Sequence, residues 1–253
     1  LTVLYARYKH SVSAANLWRE CPSAFLWRYG LQRWGKDNAR IWMGKAAEAA
    51  YANALLHGLS GEDAQQDAVR RFYDASEGEE FPEAQAAGWI ARGFVEQTDP
   101  AWGRLVAHNP WRPVHAGHER EISMKPDFVF ENAIVDTKAT LRLPSEPSFQ
   151  HARQIAAYAR EWKLPGVLFY STARSKDKQY NAYDHRHLSL TDEQAEEAWQ
   201  SLVLDWHQID RFDRRFASVA DAMSVTPLNT DSFYWEEDDI PEAIGMWMQA
   251  EAA

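Results

Sequence analysis

The stretch on which the fold turns is residues 126–140, Pro-Asp-Phe-Val-Phe-Glu-Asn-Ala-Ile-Val-Asp-Thr-Lys-Ala-Thr. Its two apolar runs predict strands over 127–130 and 133–140, joined at Glu131-Asn132 by a hairpin turn. Side chains alternate along a strand, so Asp136 and Lys138 share a face with Ile134, which should mark where that face leaves the core. The hairpin returns Asp127 to the neighbourhood of the same face. Two carboxylates and one lysine therefore converge at one point of a sheet.

Carboxylates brought that close repel one another unless a cation sits between them. Hard oxygen ligands favour Mg²⁺ or Mn²⁺. Such an ion polarises a phosphodiester and lowers the pKa of bound water. A neighbouring lysine can orient that water or stabilise developing negative charge. A surface hairpin with an ordinary Asp–Lys pair would carry the same letters, so the flanking sequence has to discriminate.

Upstream, the chain reads as helical. Ser13 is expected to cap a helix over 14–29, interrupted near Cys21-Pro22. A loop follows over 30–38. A second helix runs over 39–57 and stops at Gly58. Ser60 and Asp63 form a capping box for a third helix reaching residue 75. An acidic linker leads to a fourth helix over 82–97, and Asp99-Pro100 and Asn109-Pro110 signal loops. A strand is expected over 115–124, then the hairpin and a helix over 149–162. Strands over 166–172 and 179–188 follow, and Thr191 caps a long helix to residue 219. We expect one α/β domain over 1–253, comprising an all-helical N-terminal part (1–110), a β-rich core (111–190), and a long helix with an acidic tail (191–253).

The 253 residues are 45% hydrophobic, enough for a sizeable core. No long uncharged apolar run is present, so neither a membrane span nor a signal peptide is expected. A single cysteine, Cys21, excludes an intramolecular disulfide and suits a reducing, cytoplasmic setting in a bacterium or a phage-infected host cell. The net charge of −10 argues against a nucleic-acid partner only on average. Residues 1–45 carry net +6 and 111–190 net +3, whereas 191–253 carry net −12. Folding could join the two basic segments into a phosphate-binding surface.

The Pro126-Asp127 pair followed by Asp136-Thr137-Lys138 resembles the PD-(D/E)XK nuclease signature, and further motifs narrow the resemblance to the RecB-type exonuclease subgroup. Gln154 and Tyr158 form a Gln-x-x-x-Tyr on one face of the following helix. In that subgroup these residues lie beside the catalytic carboxylates, where they brace the lysine or contact substrate. The opening helix, with Cys21-Pro22 and its aromatic run, is also similar. Gly44 matches the glycine that precedes a metal-binding histidine by four positions, but here the fourth position is Glu48. The resemblance thus implies metal ligation by Glu48, Asp127, Asp136 and the Thr137 carbonyl. It implies catalytic roles for Asp127, Asp136, Lys138, Gln154 and Tyr158, with Mg²⁺ or Mn²⁺ as cofactor. It implies a restriction-endonuclease-like core, a mixed sheet flanked by helices. Relatives that hold an iron–sulfur cluster use one early and three late cysteines. With Cys21 alone, no such cluster is expected, and Cys21 reads as a packed thiol.

Basic residues interleaved with aromatics suit single-stranded DNA. Arg33, Trp34 and Lys36, in the predicted loop, are the candidates for such contact. Arg142, His151 and Arg153 flank the site and are candidates for holding phosphates near the metal, and Arg174, Lys176 and Lys178 form a second basic stretch. The expected partner is DNA, single-stranded or at duplex ends. The acidic, aromatic tail from Asp231 is expected to pack on the body or to dock a recombination protein. Three readings share these residues: an exonuclease of recombination, repair or phage DNA metabolism; a structure-specific or restriction-type endonuclease; and a non-cleaving DNA-binding or assembly module.

Overall fold

The computed structural model describes residues 10–114, 121–176 and 179–252. In chain order its elements begin with β1 (His10–Ser11), α1 (Val12–Glu20) and α2 (Pro22–Phe25), which runs into a π-helical turn (Leu26–Gly30). Next come α3 (Ala39–His57), α4 (Gly61–Ala75), α5 (Glu83–Glu96) and a 3₁₀ turn (Pro100–Trp102). The strands β2 (Leu105–His108), β3 (Arg112–Val114), β4 (Ile122–Met124), β5 (Phe128–Phe130) and β6 (Ile134–Ala139) follow. The chain continues through α6 (Phe149–Trp162), β7 (Gly166–Lys176), β8 (Gln179–Leu188), α7 (Asp192–Arg215), α8 (Val219–Val225) and α9 (Ile240–Glu251).

The helix ends follow local chemistry. Asn38 Oδ1 accepts from the N–H groups of Arg40 and Ile41 at 3.1 and 3.2 Å, and Gly58 closes α3 in the left-handed region at φ 65°. The Ser60/Asp63 capping box forms as expected. The interruption at Cys21-Pro22 also forms, but the cap of α1 is Ser11, not Ser13: the Ser11 hydroxyl accepts from the Ala14 N–H at 3.1 Å. The long C-terminal helix starts after Thr191 but stops at Arg215, because Ser218 caps a separate helix, α8. The first 110 residues are not all helical, since they contain β1 and β2. Of the strand expected over 115–124, residues 122–124 form β4, while residues 115–120 lie outside the described residues. The loop expected at Asn109-Pro110 gives way within two residues to β3.

The chain divides into two compact units, each assembled from discontinuous segments. One unit is Asp37–Trp111 with Lys125–Ala195. Its five-stranded sheet has the order β2-β5-β6-β7-β8, and all neighbours are antiparallel except the β6–β7 pair. Parallel pairing requires a crossover, and α6 supplies it. Val135, Phe128 and Phe169 join residues of α3, α4 and α5 in one apolar core, which places those helices on one sheet face. The alternate residues of β6, Asp136 and Lys138, face α6 on the other. Close contact on that side needs Gly166, where a Cβ would come within 2.7 Å of Ile155 Cγ1.

The second unit is Leu1–Lys36, Arg112–Met124 and Glu196–Ala253. Its sheet has the order β1-β4-β3. Trp206 is fully buried, and Arg19 makes two 2.8 Å hydrogen bonds to the buried Asp205 carboxylate. Cys21 is a packed thiol, 3.4 Å from the Ser23 hydroxyl. The tail packs through buried Trp235 and Trp247, and Trp247 Nε1 donates to the Thr226 carbonyl at 2.8 Å. Phe233, Ile244 and Met248 of the same tail stay exposed. Among the described residues no helix is long and apolar enough to cross a membrane.

Candidate active site

The hairpin forms in the expected register. Phe128 pairs with Val135 and Val129 with Ile134. One step further, the register would set Asp127 directly opposite Asp136, and like charges opposite one another are destabilising. The pairing ends there. Asp127 Oδ2 instead accepts from the Thr137 N–H at 2.8 Å and from the Thr137 hydroxyl at 2.9 Å. A strand residue presents its N–H and C=O to the same side, so the Thr137 carbonyl also faces the side of Asp127.

Asp136 is 0% exposed. Among the described residues, neither of its carboxylate oxygens has an aligned hydrogen-bond donor, although the Lys138 ammonium lies 2.5 Å from Oδ2. Burial first, and then the Asp127 charge, push the Asp136 carboxyl up to about 7 against the pull of Lys138. Burial also drives the Lys138 ammonium down, but the charges of Asp136 and Asp127 outweigh it and hold Lys138 above its ordinary value. The two directions have one origin. An excess of buried carboxylate retains protons where a divalent cation could replace them.

The helix α6 braces this group. Lys138 Nζ donates to Gln154 Oε1 at 3.1 Å, and Gln154 Nε2 donates to the Tyr158 hydroxyl at 3.2 Å. Burial raises the Tyr158 phenol, so it remains a neutral donor and acceptor. The sequence reading paired Gln154 and Tyr158 with the lysine, and the geometry joins all three. His151 lies one turn before Ile155 on the same helix, with Nδ1 2.9 Å from the Tyr170 hydroxyl. Burial, followed by the Lys138 charge, lowers His151 to about 4. It is therefore a neutral imidazole at pH 7, not the cation that a phosphate clamp would favour.

Glu48 reaches the same place from α3. Glu48, Asp127, Thr137, Lys138 and His151 line a pocket of about 300 Å³, with Gly44 one helical turn before Glu48. Glu48 Oε1 lies 2.8 Å from Asn109 Nδ2 and 3.2 Å from His108 Nε2. Sequence reading missed His108 and Asn109, because β2 is only four residues long and flanked by loop signals.

The donor set suits a hard divalent ion: a backbone carbonyl and three carboxylates, one of which, Asp136, has two buried oxygens lacking aligned donors. Each carboxylate is turned to a separate partner, Asp127 to Thr137, Asp136 to Lys138 and Glu48 to Asn109. Accordingly, among the described residues no three His, Cys, Asp or Glu side chains stand together closely enough to hold an ion as they are.

The predicted DNA contacts fare unevenly. Arg142 is exposed just beyond β6 and shares a shallow pocket with Arg186 and Glu146. Arg153 is 0% exposed, with its guanidinium over the Phe149 ring at 5.2 Å, so it does not present a surface contact to DNA. The reason is its helix face, which it shares with buried Ala156 and Ala157. Arg33, Trp34 and Lys36 belong to the other compact unit. Trp34 is 61% exposed with its ring set at 81° to that of Tyr29, Lys36 is exposed, and Arg33 pairs with Glu242 at 2.8 Å. Arg174 and Lys176 lie on β7, Arg174 pairing with Asp184 at 3.1 Å, while Lys178 lies outside the described residues.

Residues 9–233 match the family model described as the PD-(D/E)XK nuclease superfamily. No curated protein matches the sequence. A crystal structure described as a "putative exonuclease" from Eubacterium rectale aligns with a TM-score of 0.59 at 17% identity, covering 83% of each chain. That likeness concerns the fold. The crystal structure of SSO0001 aligns at 11% identity over 69% of this chain and 79% of its own, and its TM-score of 0.27 carries no argument.

Proposed function

Because the chain belongs to the PD-(D/E)XK nuclease superfamily, we propose that it is a divalent-metal-dependent deoxyribonuclease, working as an exonuclease in recombination, repair or phage DNA metabolism. One observation carries the reading. Asp136 is a fully buried carboxylate without aligned donors, held beside Asp127 and Lys138 on the strand the family signature picks out. Lys138 offsets one negative charge of the neighbouring carboxylates, and the excess that remains is costly to hold there unless a further cation compensates it. Asp127, Asp136 and Glu48, with the Thr137 carbonyl, would hold Mg²⁺ or Mn²⁺. An ion bound there supplies Lewis acidity toward the scissile phosphate and an acidified water.

The chain's own groups supply the rest. Lys138 orients the attacking water and stabilises charge developing on the phosphate. Gln154 and Tyr158 fix the reach of Lys138 from below. Neutral His151 offers a hydrogen bond to substrate, and Arg142 a charge to the phosphate backbone. Arg33, Trp34 and Lys36 would contact single-stranded DNA by charge and stacking. The description of the E. rectale protein supports exonuclease over endonuclease action. A recombination partner would dock on the exposed Phe233, Ile244 and Met248, since Trp235 and Trp247 of the same tail are buried.

Incubation with linear DNA labelled at either end, beside a closed circle, tests the proposal. Label should be released with Mg²⁺ or Mn²⁺, none should be released in EDTA, and the circle should stay intact. Cleavage surviving in EDTA contradicts the metal dependence, and cutting of the circle replaces exonuclease with endonuclease action.

A further inference from the structure

The structure of β2 has features that a plain edge strand lacks. Its register with β5 shifts by one residue between Leu105, opposite Phe130, and Ala107, opposite Val129. The extra residue, Val106, is left exposed. A bulge of this kind re-aims every side chain beyond it. In the unshifted register Ala107 would oppose Phe128; with the shift, His108 does. Opposed residues share a sheet face, so the bulge turns His108 toward α3 and Glu48. The His108 ring stacks on Phe128 with centroids 5.0 Å apart and an interplanar angle of 27°, which fixes the direction of Nε2.

Asn109 then breaks the alternation of the strand. Its φ of 51° lies in the left-handed region, which asparagine tolerates better than most residues. That turn keeps its amide beside its neighbour, with one Nδ2 hydrogen donated to His108 Nε2 at 2.7 Å and the other to Glu48 Oε1 at 2.8 Å, so that His108 orients the amide that holds Glu48. Meanwhile its backbone N–H donates to the Asp127 carbonyl at 2.8 Å. Asn109 is thus bonded through its side chain to one proposed metal ligand and through its backbone to the residue that carries another.

We propose that Asn109 and His108 are positioning residues that clamp Glu48 of α3 to the Asp127 end of β5 and so set the spacing of the metal-binding carboxylates. The proposal rests on the assignment of Glu48 and Asp127 as ligands. Glu48 comes from α3 and Asp127 immediately precedes β5, and Asn109 bonds to both, to Glu48 through its side-chain amide and to Asp127 through its backbone N–H. Partners that orient a metal-binding side chain typically contribute about 10–100-fold to metal affinity. The Asn109 amide donates to Oε1, which leaves Oε2 to turn toward the pocket.

Mn²⁺ binding, followed by loss of the free-ion electron paramagnetic resonance signal, tests the clamp independently of activity. Asn109→Gly preserves the left-handed backbone and its N–H while removing the amide. His108→Phe keeps a ring on Phe128 and removes Nε2, and it carries the test should the glycine variant fail to fold. Each is expected to weaken Mn²⁺ binding about tenfold or more. The Mn²⁺ concentration for half-maximal cleavage should rise with it, while kcat at saturating Mn²⁺ falls less than threefold. Glu48→Ala is the reference. If it weakens Mn²⁺ binding and the two clamp variants do not, the clamp is wrong and the ligand assignment stands. If Glu48→Ala leaves binding unchanged, the ligand assignment fails and the clamp with it.

Discussion

Asp136→Asn is expected to lower single-turnover DNA cleavage by about a thousandfold or more while the chain stays folded. The substitution is nearly isosteric and leaves the backbone pairing of residue 136 with Leu168 in place. What it removes is the charge of a carboxylate with no aligned donors among the described residues. A bound ion contributes several kcal/mol of charge stabilisation in phosphoryl chemistry, and each ~1.4 kcal/mol is tenfold in rate. Loss of roughly 4 kcal/mol therefore gives about three orders of magnitude. Rapid-mixing cleavage with saturating Mg²⁺ measures the effect, and circular dichroism checks the fold. A variant that keeps more than a tenth of wild-type turnover would show that Asp136 is a structural partner of Lys138 and nothing more.

Lys138→Met should show the complementary pattern, with cleavage reduced by about 10²–10⁴-fold and Mn²⁺ binding retained. The Lys138 ammonium lies 2.5 Å from Asp136 and is held by Gln154 at 3.1 Å, yet it also lines the pocket. Its place in the pocket lining sets its ammonium where phosphate charge would develop. Removing it takes away transition-state stabilisation and also a positive charge that competes with an incoming metal ion. Cleavage and Mn²⁺ titrations on one preparation separate the two effects. Loss of Mn²⁺ binding in Lys138→Met would instead mean that the lysine holds the carboxylates in place.

Much of this site could be read from the sequence because its parts are close together in the chain. The hairpin turn at Glu131-Asn132 fixes the register, and the register brings Asp127 up to the Asp136-Thr137 step, where its carboxylate bonds to Thr137. The stop at Gly58 and the helix over 149–162 are legible as well, and with them the faces that carry Glu48, Gln154 and Tyr158. What escaped depends on tertiary context. The bulge at Val106 has no signature in its own residues, since it is defined only against β5. Arg153 looks like a surface charge until the helix face it shares with Ala156 and Ala157 is seen to be buried. Ser13 has the chemistry of a helix cap, as Ser11 does, but the extended backbone arriving through β1 puts Ser11 at the helix start.

The most direct test of the central claim is anomalous diffraction from a crystal soaked in Mn²⁺. The account predicts a manganese peak within coordination distance of both Asp127 and Asp136, absent from the Asp136→Asn crystal. A fully ordered pocket without a peak at saturating Mn²⁺, or a peak bound elsewhere and unaffected by the substitution, would contradict it.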